Sequence, residues 1–111
     1  MEIETRKEKN ALVFSVKGRM DAVSSPEFDK ELAELMAKGE KYFVIDFSKL
    51  DYISSAGLRS ILAAAKKLKE KEGRLSLAAL KDVVKEVFEI SGFSSILPIY
   101  ESVESAVTQV S

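Results

Sequence analysis

Two adjacent hydroxyls, Ser54 and Ser55, precede a glycine in the run Tyr52-Ile53-Ser54-Ser55-Ala56-Gly57-Leu58. Serine at the opening of a helix can accept hydrogen bonds from the free backbone N–H groups there. The free N–H groups and positive pole of such a helix end would also favour a phosphate or a partner's surface. Composition alone favours the capping role. Gly57 argues for more than a cap, because glycine in a first helical turn costs up to about 1 kcal/mol against alanine, so something is expected to approach the backbone closely there. A phosphate or a partner's surface would satisfy that expectation.

Other chemistries are cut off by what the chain lacks. With no His and no Cys there is no Ser-His-Asp triad, no thiol nucleophile and neither of the commonest zinc ligands. No Gly-Lys-Ser/Thr phosphate loop is present. Seventeen Lys and Arg face 18 Asp and Glu for a formal charge of -1, which implies no general attraction to nucleic acid or anionic membranes. The first residues alternate and are charged, and no long apolar run follows, so neither a signal peptide nor a membrane span is expected. The expected compartment is the cytoplasm, and no cofactor is expected. Asp46, at the end of an apolar run, invites comparison with the phosphoacceptor of a receiver domain. That reading lacks its paired magnesium-binding acids, because Glu2 and Glu4 come too early and alternate along a hairpin.

These residues must be positioned by a fold, and the hydropathy pattern supplies one. Residues 2–7 and 11–17 each alternate and read as a hairpin turning at Glu8-Lys9-Asn10, where Asn tolerates a left-handed backbone. Gly18 is expected to break the second strand. Ser24-Ser25-Pro26-Glu27 predicts a helix start with capping-box spacing between Ser24 and Glu27, and Gly39 its left-handed stop. Tyr42 to Phe47 reads as a central strand covered on both faces, and Ser48 to Ser54 as a loop. Leu58, Ile61, Leu62, Ala65 and Leu68 trace a second helix ending at Gly73, whose terminal lysines complement the negative pole and need no ligand. Leu75, Leu77 and Ala79 alternate, Val84 to Phe88 form a short helix stopped at Gly92, and Ile96 to Tyr100 carries Pro98 as an edge strand should. The loop from Gly92 to Ser95 is a candidate for exposing Phe93. Ser102 caps a last helix.

The sum is one α/β domain over residues 1–111, with a mixed, mostly parallel sheet of about five strands and about four helices. In such sheets, ligands and partners meet the carboxyl ends of strands and the amino ends of the helices that follow. That rule directs attention to the Ser54–Leu58 turn and to the loop holding Asp21, Ser24 and Ser25.

The run Tyr52-Ile53-Ser54-Ser55-Ala56-Gly57-Leu58-Arg59 resembles the signature segment of STAS-domain anti-sigma factor antagonists. The resemblance extends from Gly18-Arg19-Met20-Asp21 to Val84–Phe93, nearly the whole chain. It implies a STAS fold and partner switching: the unmodified antagonist binds an anti-sigma factor that is also a serine kinase, and phosphorylation ends the binding until a serine phosphatase reverses it. It places Ser55 on the phosphoacceptor and Ser54 on the family's usual Asp, and it matches Asp21 to a loop acid near the phosphoserine. The partner surface implied is Asp21, Ser24 and Ser25 together with Ser54, Ser55, Ala56, Gly57 and Leu58. Asp21, read as a loop acid away from any cap, is expected to serve binding more than folding. The chain would be a kinase substrate and not an enzyme. An alternative role for the same domain is as a scaffold subunit of a sensory assembly.

Overall fold

The structure is a computed structural model and describes residues 1–110. A hairpin of β1 (Glu2–Glu8) and β2 (Ala11–Met20) leads into α1 (Ser25–Ala37). Then β3 (Tyr42–Ile53), α2 (Ser55–Glu70), β4 (Arg74–Ala78) and α3 (Asp82–Ile90) alternate, and a 3-10 turn, Phe93–Ser95, precedes β5 (Ile99–Tyr100) and α4 (Val103–Val110). The five strands lie in the order β1-β2-β3-β4-β5, with β1 antiparallel to β2 and all other pairs parallel. Helical crossovers enforce the parallel pairs, since a short turn can join only antiparallel neighbours. This is the mixed α/β architecture that the element order predicts.

The central strand carries both cores. Phe43, Ile45 and Phe47 join Leu12, Phe14 and Val16 of β2 beneath α1, α2 and α3, with Phe28, Ile61, Leu68 and Phe88 fully buried above them. Val44 points the other way and meets Ala11, Val13, Ala78 and the Val103, Ala106 and Val107 stripe of α4. Burying each large apolar side chain contributes about 1.5–3 kcal/mol, so the three-helix face dominates stability. Ser102 caps α4 as expected, accepting the Ser105 N–H at 3.1 Å.

Several details differ from the sequence reading, and two of them trace to one cause. The expected loop from Ser48 is strand as far as Ile53, and Gly18 lies inside β2 instead of ending it. Against Leu12–Met20, β3 spends two additional residues, with register shifts between Ser15 and Lys17 and between Gly18 and Arg19. These are β-bulges, which break the two-residue alternation and strengthen local twist. Inward-facing residues of β3 therefore run Phe43, Ile45, Phe47, Leu50, Ile53, a spacing that reads as loop. Gly18, at φ 99°, supplies the left-handed backbone opposite the second bulge.

At the hairpin, Lys9 and not Asn10 takes the left-handed conformation. Gly39 does so as expected, but at the end of α2 the left-handed residue is Glu72. Gly73 is required for another reason, since a Cβ there would stand 2.4 Å from the Lys41 carbonyl oxygen. Ala79 leaves the strand with φ 59°, and Phe93 packs half-buried against the core while Ile96 is the exposed side chain of that segment.

Candidate functional site

The carboxyl ends of β2 and β3 lie side by side, with Arg19 opposite Tyr52 and Met20 opposite Ile53. Each strand runs directly into the helix it positions, so the β2–α1 loop and the β3–α2 turn form one surface. Arg19 lies over the Tyr52 ring at 4.2 Å, a cation–π contact worth about 0.5–1 kcal/mol when exposed, and so braces the two strand ends.

In the β3–α2 turn the two serines divide the work. Ser54 is the N-cap: half-buried, its Oγ accepts the Gly57 N–H at 3.3 Å. Its own N–H donates to the Met20 carbonyl at 2.9 Å, pinning the turn to β2. Ser55, next in the chain, is exposed and opens α2. Gly57 is buried, and a Cβ on it would meet Ile53 Cγ1 at 2.7 Å and the Met20 carbonyl oxygen at 2.9 Å. The close approach expected at Gly57 is made within the chain, by Ile53 of β3 and Met20 of β2. Leu58 is also buried, and Ala56 is partly exposed.

The β2–α1 loop is built differently. Asp21 Oδ1 accepts the N–H groups of Val23 and Ser24, both at 3.0 Å. Ser24 Oγ donates to the Arg19 carbonyl at 2.8 Å and accepts the Asp21 N–H at 2.9 Å, and makes no cap to the first turn of α1. The expected Ser24–Glu27 capping box is thus replaced by an Asp21–Ser24 turn. Its hydrogen bonds, the Ser24 backbone N–H first among them, hold the Asp21 carboxyl below its ordinary pKa, with a smaller contribution from Arg19 at 4.0 Å. Asp21 lies outside the α1 cap, as read, but it is a structural acid of the loop as well as a partly exposed one. Ser25 is 4% exposed and its hydroxyl has no hydrogen-bond partner among the described residues. It lines a groove of about 430 Å³ between α1 and α2, with Ala56 and Arg59 at the Ser55 end.

Asp21, Ser24, Ser54 and Ser55 are thus brought to one end of the sheet, with Ala56 beside them. Ser25, Gly57 and Leu58 lie beneath that surface and shape it. Sequence reasoning missed Val23, 90% exposed at the tip of the loop between Asp21 and Ser24. An apolar residue between an acid and serines was the available signal. Among the described residues no group of acids is placed to hold a metal, and no helix is long and apolar enough to cross a membrane.

The family profile of the STAS domain matches residues 2–106. The chain is 43% identical over 106 residues to BtrV of Bordetella bronchiseptica, provisionally named as an anti-sigma factor antagonist, covering 96% of this chain and 91% of that one. It is 31% identical over 99 residues to the anti-sigma-B factor antagonist of Listeria monocytogenes, covering 89% and 86%. Among solved structures, unphosphorylated SpoIIAA superposes with a TM-score of 0.85 at 19% identity, over 98% of this chain and 96% of that one.

Proposed function

The chain belongs to the STAS domain family, and from that premise we propose that it is an anti-sigma factor antagonist working by partner switching. Unmodified, it binds an anti-sigma factor with serine kinase activity in the cytoplasm and so frees a sigma factor. Phosphorylation of Ser55 ends the binding, and a serine phosphatase restores it. The bacterial relatives named as antagonists support the binding role, and SpoIIAA, a neighbour in fold, is known in unphosphorylated and phosphorylated forms.

The single observation that carries the assignment to Ser55 is the division of labour in the turn. Ser54 spends its oxygen on the helix and is half-buried, whereas the Ser55 side chain is exposed with no partner among the described hydrogen bonds. The partner surface joins Asp21, Val23 and Ser24 to the turn from Ser54 to Leu58. Its apolar part, Val23 with Tyr52 exposed at the adjoining end of β3, survives in both states. A phosphate adds roughly -1.5 to -2 charges at pH 7, and a like charge facing it across an interface can cost several kcal/mol. A hundredfold switch needs only about 3 kcal/mol. The chain is then a kinase substrate without catalysis of its own.

Incubation with its candidate anti-sigma kinase and ATP should place phosphate on Ser55 alone, read by mass spectrometry. Phosphate on Ser54 with Ser55 unmodified would overturn the assignment.

A further inference from the structure

A second surface lies at the far end of α2, where 14 further residues of helix carry the chain from Ser55 to Lys69, about 20 Å at 1.5 Å per residue. Here Leu62, Ala65, Lys66 and Lys69 line the flank of α2 beside the Ile61–Leu68 core stripe, with Leu62 and Ala65 partly buried against that core. The start of β4 faces them, and the segment entering β5 closes the groove. Leu75 and Leu97 are its buried floor, while Ile96 stands on the rim at 65% exposure. The cavity measures about 600 Å³.

Its charge is one-sided. Lys66, Lys69 and Arg74 border it, no carboxylate lines it, and none of the three cations is in an ion pair among the described residues. Lysines in a last helical turn are explained by the negative helix pole, which accounts for Lys69 and its neighbour Lys67. Arg74 lies beyond the helix on a strand, and Ile96 comes from a different part of the chain altogether, so the pole explains neither. An apolar trough walled by unpaired cations is complementary to one kind of occupant.

We infer that this groove docks an acidic segment of a partner protein that presents large apolar side chains between its carboxylates. The apolar residues would lie over Leu75 and Leu97 against Ile96, and the carboxylates would pair with Lys66, Lys69 and Arg74. Because the groove and the Ser55 turn are at opposite ends of α2, both can be occupied together, which gives the domain the means to bridge two proteins. The inference does not depend on modification of Ser55.

The test uses a fluorescent synthetic amphipathic peptide with Glu on one face and Leu on the other, beside a counterpart with Lys for Glu. The acidic peptide should bind saturably, weaken as salt screens the pairs, and shift the backbone NMR signals of Lys66, Arg74 and Ile96 while leaving those of Ser54 and Ser55 in place. The doubly substituted K69E/R74E chain should lose at least about tenfold in affinity, equivalent to about 1.4 kcal/mol. Ile96→Ser, which leaves the charge unaltered, should also weaken binding, and circular dichroism should show both variants folded. The inference is overturned by absence of saturable binding, by equal binding of the Lys peptide, by shifts centred on Ser55, or by concentration-dependent self-association that hides these residues and makes a second copy the occupant.

Discussion

Two neighbouring connections carry a parallel strand into a helix at the same end of the sheet, and they are built on opposite principles. The β3–α2 turn has a single residue, Ser54, between strand and helix, and the β2 backbone fixes it: one carbonyl, that of Met20, receives the Ser54 N–H and leaves no room for a side chain at Gly57. The β2–α1 loop has four residues, and its hydrogen bonds join residues 19 to 25 to one another. Long-range packing thus sets a hydroxyl at a defined height above the sheet. Local side-chain chemistry instead holds out an apolar tip, Val23. The first arrangement suits a residue that must be found by a modifying enzyme, the second a residue that must be covered by a partner.

Substitution at Gly57 should give the largest effect on stability, and its sign decides whether the turn is set by β2. Helix propensity alone favours alanine by up to about 1 kcal/mol, whereas overpacking costs about 1–3 kcal/mol. Since one of the atoms in the way is a backbone carbonyl at 2.9 Å, the clash should win. Gly57→Ala is expected to lose about 1–2 kcal/mol in urea unfolding. A gain in stability would break the comparison, because it would mean that the turn has freedom to lift from β2.

Ser54→Ala comes next. Loss of an N-cap costs about 0.5–2 kcal/mol, and the 3.3 Å length of this bond points to the lower half of that range. A thermal melt alongside Ser55→Ala should separate the two serines, with Ser54 the costlier. Equal losses would show that Ser55 shares the capping, which would weaken its claim to be the free hydroxyl.

Asp21 sharpens the comparison from the other side, since its loop should respond to loss of a carboxylate acceptor and the β3–α2 turn should not. Asp21→Ala should lower the melting temperature, and Asp21→Asn, which retains an acceptor oxygen, should lower it less. The pH dependence has a definite sign. A carboxyl whose folded-state pKa is depressed contributes stability that is full above its unfolded value, 3.8, and is lost as pH falls through the lower folded-state value. The gap between wild type and Asp21→Asn should therefore be constant near neutrality and close in acid below pH 3.8. A gap that persists there would assign the effect to geometry and not to charge.

How far all this could be read from the sequence follows the same division between local and long-range causes. The order of elements was legible because each apolar stripe is local to its own helix or strand. The end of β3 was not, because two bulges turn a strand's alternation into the three-residue steps from Phe47 to Leu50 to Ile53, and only β2 alongside reveals them. Gly57 was noticed, but the atom that requires it is Met20 O, far off in the chain. Even local chemistry had two solutions at Ser24, which the sequence offers to Glu27 and the structure gives to Asp21 and Arg19. The groove beside Arg74 and Ile96 has no sequence signature at all, being assembled from three separate segments.

The smallest expected change in stability is at Ser55, and there binding should move while folding does not. Ser55 is exposed and its hydroxyl has no described partner, so Ser55→Ala and Ser55→Asp should each stay within about 0.5 kcal/mol of wild type. Aspartate at the first position of α2 lies next to the positive helix pole, which favours it by about 0.3–1 kcal/mol and removes any electrostatic reason for unfolding. Against the anti-sigma factor the two should part. Ser55→Ala should retain affinity and escape control, because the apolar contacts of Val23 and Tyr52 are untouched. Ser55→Asp should weaken binding incompletely, carrying one negative charge where a phosphoserine carries roughly -1.5 to -2. Titration of wild type, Ala and Asp forms against the same partner distinguishes the cases. Equal affinity of the Asp and Ala forms would remove charge from the switch, and loss of binding by Ala alone would make the Ser55 hydroxyl itself a contact.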